Sequence, residues 1–302
     1  MQIRVENLCK DLGEKALVED VSFEVRSGQL LGILGPAGSG KTTILRMLMD
    51  IIKPDNGQIS FDEQTMSLKN RDTIGYLPQT RGLYDDHTVN QVLVYFARLK
   101  NLSRKKAHVE AVRMMDRFDV IDQMDVQISQ VSAEVRHKVQ WMIPIIHNPE
   151  LLILDEPFAN LSPANLKLTR GLLQRLKDEG KTIILASSQF DEAEMFCDEM
   201  LLLHDGRVVL QGKLDDIRKR YKENLIVVES NDNMESLQNI YGIKKFVLNR
   251  KSAHLYVDRK IPPRKVLDVI VKSLHVSRIE VSRPGLSDIY LQTVYGKEKG
   301  SV

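Results

Sequence analysis

The sequence predicts an α/β fold with a parallel sheet at its core, followed by a smaller α+β domain. Three observations carry that expectation. The apolar runs Leu151-Leu152-Ile153-Leu154 and Thr182-Ile183-Ile184-Leu185 look like parallel strands buried on both faces, and the helix-like stretch from Pro163 to Leu176 lies between them. A further apolar run, from Gln29 to Leu34, is followed by the amphipathic stretch Thr43 to Met49. After the charged stretch Lys213 to Lys222 the character of the chain changes, which divides it into residues 1–220 and 221–302.

The other elements follow from local pattern. Ile3 and Val5, and then Val21, Phe23 and Val25, alternate with polar residues as half-buried antiparallel strands do. Gly57 to Phe61, after the turn-rich Pro54-Asp55-Asn56, adds another such strand. From about 88 to 147 the pattern is helical: Thr88 to Gln91 reads as a capping box, and Val92, Leu93, Phe96 and Leu99 follow at helical spacing. Met200 to Leu203 and Val208 to Leu210, joined through Asp205-Gly206, read as a hairpin. In the second domain, Leu225–Glu229, Met234–Ile240, Lys244–Leu248, Ala253–Val257, Pro263–Ser273 and Val276–Ser282 read as β, α, β, β, α, β. That order is the split βαβ plan of a ferredoxin-like domain.

Composition narrows the class. Lys and Arg number 43 against 41 Asp and Glu, so no charge excess argues for nucleic acid or for a polybasic membrane anchor. Cys9 and Cys197 stand far apart with no spacing motif, which favours core thiols in a reducing compartment over a disulfide framework or a zinc cluster. No apolar run approaches the roughly 18 residues of a membrane span, and the residues after Met1 lack a signal-peptide core.

Chemistry concentrates in two places. Gly35-Pro36-Ala37-Gly38-Ser39-Gly40-Lys41-Thr42 fits the phosphate-binding loop G-x-x-x-x-G-K-[ST] at every fixed position, directly after an apolar strand and before a helix. Its glycines let backbone N–H groups turn toward phosphate, the helix that follows adds its positive end, Lys41 reaches the β and γ oxygens, and Thr42 ligates Mg²⁺. The second place is Asp155-Glu156, at the exit of a buried strand. Asp155 is placed to hold the Mg²⁺ shell and Glu156 to orient and deprotonate an attacking water.

With these residues in view the chain resembles the nucleotide-binding subunit of ABC transporters over residues 1 to about 220. The segments Gly35 to Thr43, Gln79, Val131 to Arg136, Asp155-Glu156 and the stretch to Gln189 stand in that family's order and spacing. Tyr76-Leu77-Pro78-Gln79 is similar to the family's Q-loop, which implies that Gln79 touches Mg²⁺ or the lytic water. His147-Asn148-Pro149-Glu150 before the acidic strand also resembles the family, and Arg283 to Leu291 is similar to the closing segment of export-type members. The implied fold is a P-loop NTPase cassette: antiparallel β subdomain, parallel core and helical insert.

Several positions depart from the family. The signature LSGGQ is replaced by Val131-Ser132-Ala133-Glu134-Val135, which keeps Ser132 as a phosphate ligand and puts a carboxylate where glycine N–H groups would meet the γ-phosphate of a head-to-tail partner. Arg136 and Lys138 are the nearby cations that could neutralise Glu134. The switch histidine is Gln189, which can position a phosphate oxygen but cannot carry a proton. The D-loop aspartate is Ser162, and the aromatic that would stack on adenine is Leu12, in Lys10-Asp11-Leu12-Gly13.

The resemblance implies an ATPase with ATP and Mg²⁺ as ligands, Glu156 and Gln189 as catalytic residues, a second cassette (identical or different), and separate membrane-spanning permease subunits. Those subunits would hold the chain at the inner face of the membrane. The alternative is a module with little hydrolysis that supports a complete cassette partner. DNA-repair or translation ATPases share the cassette, but the single cassette, the lack of a coiled-coil insertion and the lack of a basic tract disfavour them.

Overall fold

The structure is a computed structural model that describes residues 1–12, 15–65, 71–80, 82–220, 224–248, 252–258, 260–282 and 285–295. Gly13 of the Leu12 segment and Arg283-Pro284 of the closing segment lie outside the described residues. The chain forms two compact units, Met1–Gln211 and Gly212–Val302, and the helix Leu214–Arg220 falls in the second.

In the first unit the strands β1 (Ile3–Leu12), β2 (Lys15–Val25), β4 (Asn56–Phe61) and β5 (Gln64–Thr65) form an antiparallel sheet in the order β2-β1-β4-β5. Its alternating residues Ile3, Val5, Val21, Phe23, Val25 and Phe61 point into one core. A six-stranded sheet runs in the order β10-β9-β3-β8-β7-β6. It comprises β3 (Leu30–Leu34), β6 (Ile74–Leu77), β7 (Leu151–Asp155), β8 (Thr182–Ser187), β9 (Glu199–His204) and β10 (Arg207–Gly212). Every residue of β3, β7 and β8 is buried, which is why these strands are continuous apolar runs rather than alternating ones. Asp205 and Gly206 join β9 to β10 with φ of 44° and 78°, the left-handed pair that a two-residue hairpin turn needs.

Register decides where chemistry can sit. β3, β8, β7 and β6 run parallel, and Leu34 pairs with Ser187, Ala186 with Asp155, and Leu154 with Leu77. The residues that follow these strands therefore emerge together at the carboxyl edge of the sheet, the usual ligand edge of open α/β sheets.

The helical insert contains Val89–Leu99, Arg104–Arg117 and Ala133–Ile145. The capping box at the start of the first is formed: the Thr88 hydroxyl accepts from the Gln91 N–H at 3.3 Å, and the Gln91 side chain accepts from the Thr88 N–H at 2.9 Å. Ser162 caps the helix Pro163–Asp178 in the same manner, accepting from the Asn165 N–H.

The second unit builds on β11 (Asn224–Ser230), β12 (Ile243–Leu248), β13 (Ser252–Val257) and β14 (Val276–Ser282), all antiparallel in the order β12-β13-β11-β14. This is the strand order of a ferredoxin-like sheet. The helix Pro263–Ser273 packs Val266 and Ile270 onto it. One element differs from expectation: Met234 to Ile240 is not an α-helix but a 3₁₀ stretch, Glu235–Asn239. The physical reason is the spacing. Met234, Leu237 and Ile240 recur every three residues, the period at which 3₁₀ side chains eclipse, and all three pack on the core of the unit.

Candidate functional site

The loop between β3 and the helix Lys41–Leu48 is held by its neighbours in the fold. Gly40, at φ 100°, caps that helix, and a Cβ there would stand 2.5 Å from the Leu17 carbonyl oxygen, so both conformation and space require glycine. The Gly35 N–H donates to the Ser187 carbonyl at 3.3 Å, and the Gly206 N–H donates to the Ser39 carbonyl at 3.2 Å, so β8 and the β9–β10 turn brace the loop.

Lys41 is buried at the centre. Its Nζ donates to the carbonyls of Gly35 (2.8 Å) and Pro36 (2.9 Å) and lies 3.5 Å from Glu156 Oε1. Burial pulls the Lys41 ammonium below the ordinary lysine range, against the opposing pull of Glu156. The adjacent Thr42 Oγ1 donates to Asp155 Oδ1 at 3.1 Å. Asp155 is buried, which pushes its carboxyl above the ordinary range despite the bond from Thr42.

Two buried oxygens here, Asp155 Oδ2 and Ser39 Oγ, find no hydrogen-bond partner among the described residues. Leaving a buried acceptor unmade costs on the order of 1–3 kcal/mol, so such atoms point to a missing ligand. Asp155 Oδ2 beside Thr42 fits a hard cation, and Ser39 Oγ inside the loop fits a phosphate oxygen. Among the described residues no three His, Cys, Asp or Glu side chains gather into a metal cage.

Glu156, also buried, adopts a left-handed φ of 48° and donates its N–H to the Ala186 carbonyl at 2.9 Å. Its Oε2 accepts from Ser188 twice, from the N–H at 3.0 Å and the hydroxyl at 3.2 Å. The carboxylate is thereby set between Lys41 on one oxygen and Ser188 on the other. Gln189, the residue singled out from sequence on this segment, directs its side-chain N–H to the Phe158 carbonyl at 3.3 Å. Gln79 is exposed, two residues beyond the end of β6, whose last residue pairs with Leu154.

The signature-like segment has different neighbours. Ser132 Oγ accepts from the Val135 N–H and caps the helix Ala133–Ile145. Glu134, 57% exposed in the first turn of that helix, lies 3.6 Å from Lys138 Nζ, while Arg136 is engaged by Asp85 and the Ile128 carbonyl. These partners lie outside the loop and the acidic pair, so this chain by itself assembles Gly35–Thr43, Asp155 and Glu156 but does not bring Ser132 to them.

Sequence reasoning missed a groove beside Gln79. A cavity of about 260 Å³ is lined by Tyr76, Leu83, Phe96, Leu99, Lys100 and His147, among others. Lys100 donates to the carbonyls of Arg71 and Ile74, and His147 Nε2 also faces the Ile74 carbonyl at 3.2 Å. Burial, with the Lys100 charge adding to it, pushes the His147 imidazole down to about 4.

A strand, a glycine-rich phosphate loop opening a helix, and an Asp-Glu pair at the end of the parallel strand one beyond its neighbour define a P-loop nucleoside triphosphatase. Comparison with known proteins narrows the class. The ABC transporter family model matches residues 18–159, and a model described as the C-terminal domain of DrrA1-3-like ATP-binding proteins matches residues 212–294. An uncharacterised ABC transporter ATP-binding protein of Alkalihalophilus pseudofirmus is 34% identical over 262 residues, covering 87% of this chain and 98% of the relative. The ABC transporter ATP-binding protein NatA of Bacillus subtilis is 34% identical over 66% of this chain and 83% of its own length. A solved ATP-binding subunit of an ABC transporter superposes with a TM-score of 0.66 at 27% identity, over 73% of this chain and 93% of that one. The chain belongs to the ABC transporter ATP-binding proteins and is an ATP-binding subunit of that kind.

Proposed function

We propose that the chain hydrolyses Mg-ATP slowly at the loop Gly35–Thr43 and passes the resulting movement to separate membrane-spanning subunits. The observation that carries this reading is the buried cradle itself: Lys41, Thr42 and Glu156 converge on one edge of the sheet, and Asp155 presents an oxygen with no partner among the described residues. Backbone N–H groups of Gly38 to Thr42 and the helix they open receive the phosphates, and Lys41 exchanges its loop carbonyls for β and γ oxygens. Thr42, Asp155 and Gln79 would hold Mg²⁺, which when bound neutralises charge building on the phosphates. Glu156 orients and deprotonates the water that attacks the γ-phosphorus. Gln189 assists through an N–H to a phosphate oxygen. Ser132 serves a phosphate of a second cassette rather than one bound by its own chain.

Among the described residues no helix is long and apolar enough to cross a membrane, which agrees with a chain held at the inner face of the membrane by its partners. The groove beside Gln79, with Leu99 57% exposed at its lip, supports docking of an apolar permease segment there.

A second reading, a regulatory module with little hydrolysis, is favoured by Glu134 in the signature and by the engagement of Gln189 with Phe158. Glu156→Gln separates the two. It should keep ATP binding and lower phosphate release at least tenfold, since Gln preserves size and loses basicity. Equal turnover in both proteins would remove Glu156 from the role of base and favour the module.

A further inference from the structure

Glu156 needs a device that holds it, because its position is demanding: a non-glycine residue at φ 48°, buried, at the end of a parallel strand. The β7–β8 register supplies one. Asp155 pairs with Ala186 and the Glu156 N–H donates to the Ala186 carbonyl, so the chain leaving β8 passes directly beside the Glu156 side chain. The residue that arrives there is Ser188, with N–H at 3.0 Å and hydroxyl at 3.2 Å from the same carboxylate oxygen, Oε2. The other oxygen, Oε1, faces Lys41 Nζ at 3.5 Å. The neighbours of Ser188 are engaged elsewhere: the Gln189 side chain donates to Phe158, and Ser187 Oγ accepts from the Gln189 N–H at 3.0 Å.

We propose that Ser188 is the positioning residue for Glu156, fixing Oε2 through its hydroxyl so that Oε1 is the oxygen that takes the proton from water. The inference rests on Glu156 being the base. The two oxygens divide the work. When a triphosphate enters the loop, Lys41 is drawn from Oε1 to the phosphates, while Ser188, on the chain leaving β8, keeps its hold on Oε2. The proton leaves water for Oε1 as the water oxygen bonds to the γ-phosphorus and the bond to the bridging oxygen of the leaving diphosphate breaks. Both bonds end on a charged acceptor, where a hydrogen bond is about twice as strong as a neutral one, and losing the hydroxyl halves the hold of Ser188 on Oε2. Ser188 itself is exposed, so the missing hydroxyl of Ser188→Ala leaves no cavity and the extra methyl of Ser188→Thr has room.

The test uses the full chain in excess over labelled Mg-ATP, which reads slow single turnovers directly. Ser188→Ala should slow hydrolysis about tenfold, the worth of one bond to a charged group, with ATP affinity within about twofold. Ser188→Thr should stay near the unmodified rate, and Ser188→Ala in a Glu156→Gln background should change nothing further. Where turnover falls below detection, the contact is read by infrared spectroscopy. The Glu156 carboxylate band, assigned as the one lost in Glu156→Gln, should move in Ser188→Ala and stay put in Ser188→Thr. An unchanged rate or an unmoved band in Ser188→Ala, failure of threonine to rescue, or an added loss in the Glu156→Gln background overturns the positioning role. Full turnover in Glu156→Gln alone strikes the base assignment itself and takes this role down with it.

Discussion

Replacing Ala133 and Glu134 together by glycine should convert a chain that stays monomeric in ATP into one that dimerises around it. The resemblance implies that the signature segment faces the γ-phosphate bound by the other cassette, and Glu134 would then place a carboxylate on that face. At roughly 6 Å and an effective dielectric near 20, one such repulsion is about 3 kcal/mol, and physiological salt roughly halves it. The neighbouring Lys138, 3.6 Å away, offsets only a few tenths of a kcal/mol, because pairs at this spacing on an exposed helix are weak. What remains corresponds to about tenfold in affinity per site, and a homodimer carries the carboxylate at both sites, so the double substitution should tighten the dimer on the order of a hundredfold. Ser132 remains to cap the helix, and the glycines cost the helix up to about 1 kcal/mol each, so a melting curve must first show a folded protein. The assay is light scattering with and without Mg-ATP in the Glu156→Gln background, where hydrolysis does not reopen the dimer. A tight ATP-dependent homodimer of the chain with Ala133 and Glu134 in place would refute the reasoning, because Glu134 would then not repel the phosphate.

Two further outcomes follow from single positions. With Leu12 where the resemblance implies an aromatic, base stacking should be weak and phosphate contacts should dominate, so ATP and GTP should bind within about tenfold of each other in parallel calorimetric titrations; a much larger preference for ATP would show another adenine contact. His147 is held neutral in the folded chain down to about pH 4, whereas an unfolded histidine takes up its proton near 6.5, so it costs stability progressively as pH falls from 6.5 to 4. Urea unfolding of His147→Gln should lose less stability over that window than the unmodified chain, by up to about 3 kcal/mol, and parallel losses in the two proteins would contradict the burial of the imidazole.

The parts of this molecule written in local pattern were legible before the structure. Leu151 to Leu154 and Thr182 to Leu185 are continuous apolar runs because both faces are buried, and Thr88 with Gln91 carries its helix start in four residues. The phosphate loop was legible for the same reason, since its glycines and Lys41 act within one turn of chain. What stayed hidden depends on register or on distant segments meeting. Ser188 reaches Glu156 only because Asp155 pairs with Ala186, a relation between strands that no periodicity announces. The groove with Lys100 and His147 gathers residues from β6, two helices and a loop. Met234 to Ile240 was misread because seven residues with three apolar ones suit an α-helix about as well as a 3₁₀ stretch, and the three-residue spacing decides only once the facing sheet is known.

Triphosphate is held in the cradle around Lys41, a statement that titration calorimetry of Mg-ATP against the unmodified chain and Lys41→Ala puts to the proof. Lys41 is the buried cation there, reaching two loop carbonyls and Glu156 within 3.5 Å. Losing its bonds to the phosphates removes about 1.5–3 kcal/mol. ATP should therefore bind the unmodified chain, with affinity at least tenfold weaker in Lys41→Ala, and equal affinity in two folded proteins would show that Lys41 does not hold the phosphates.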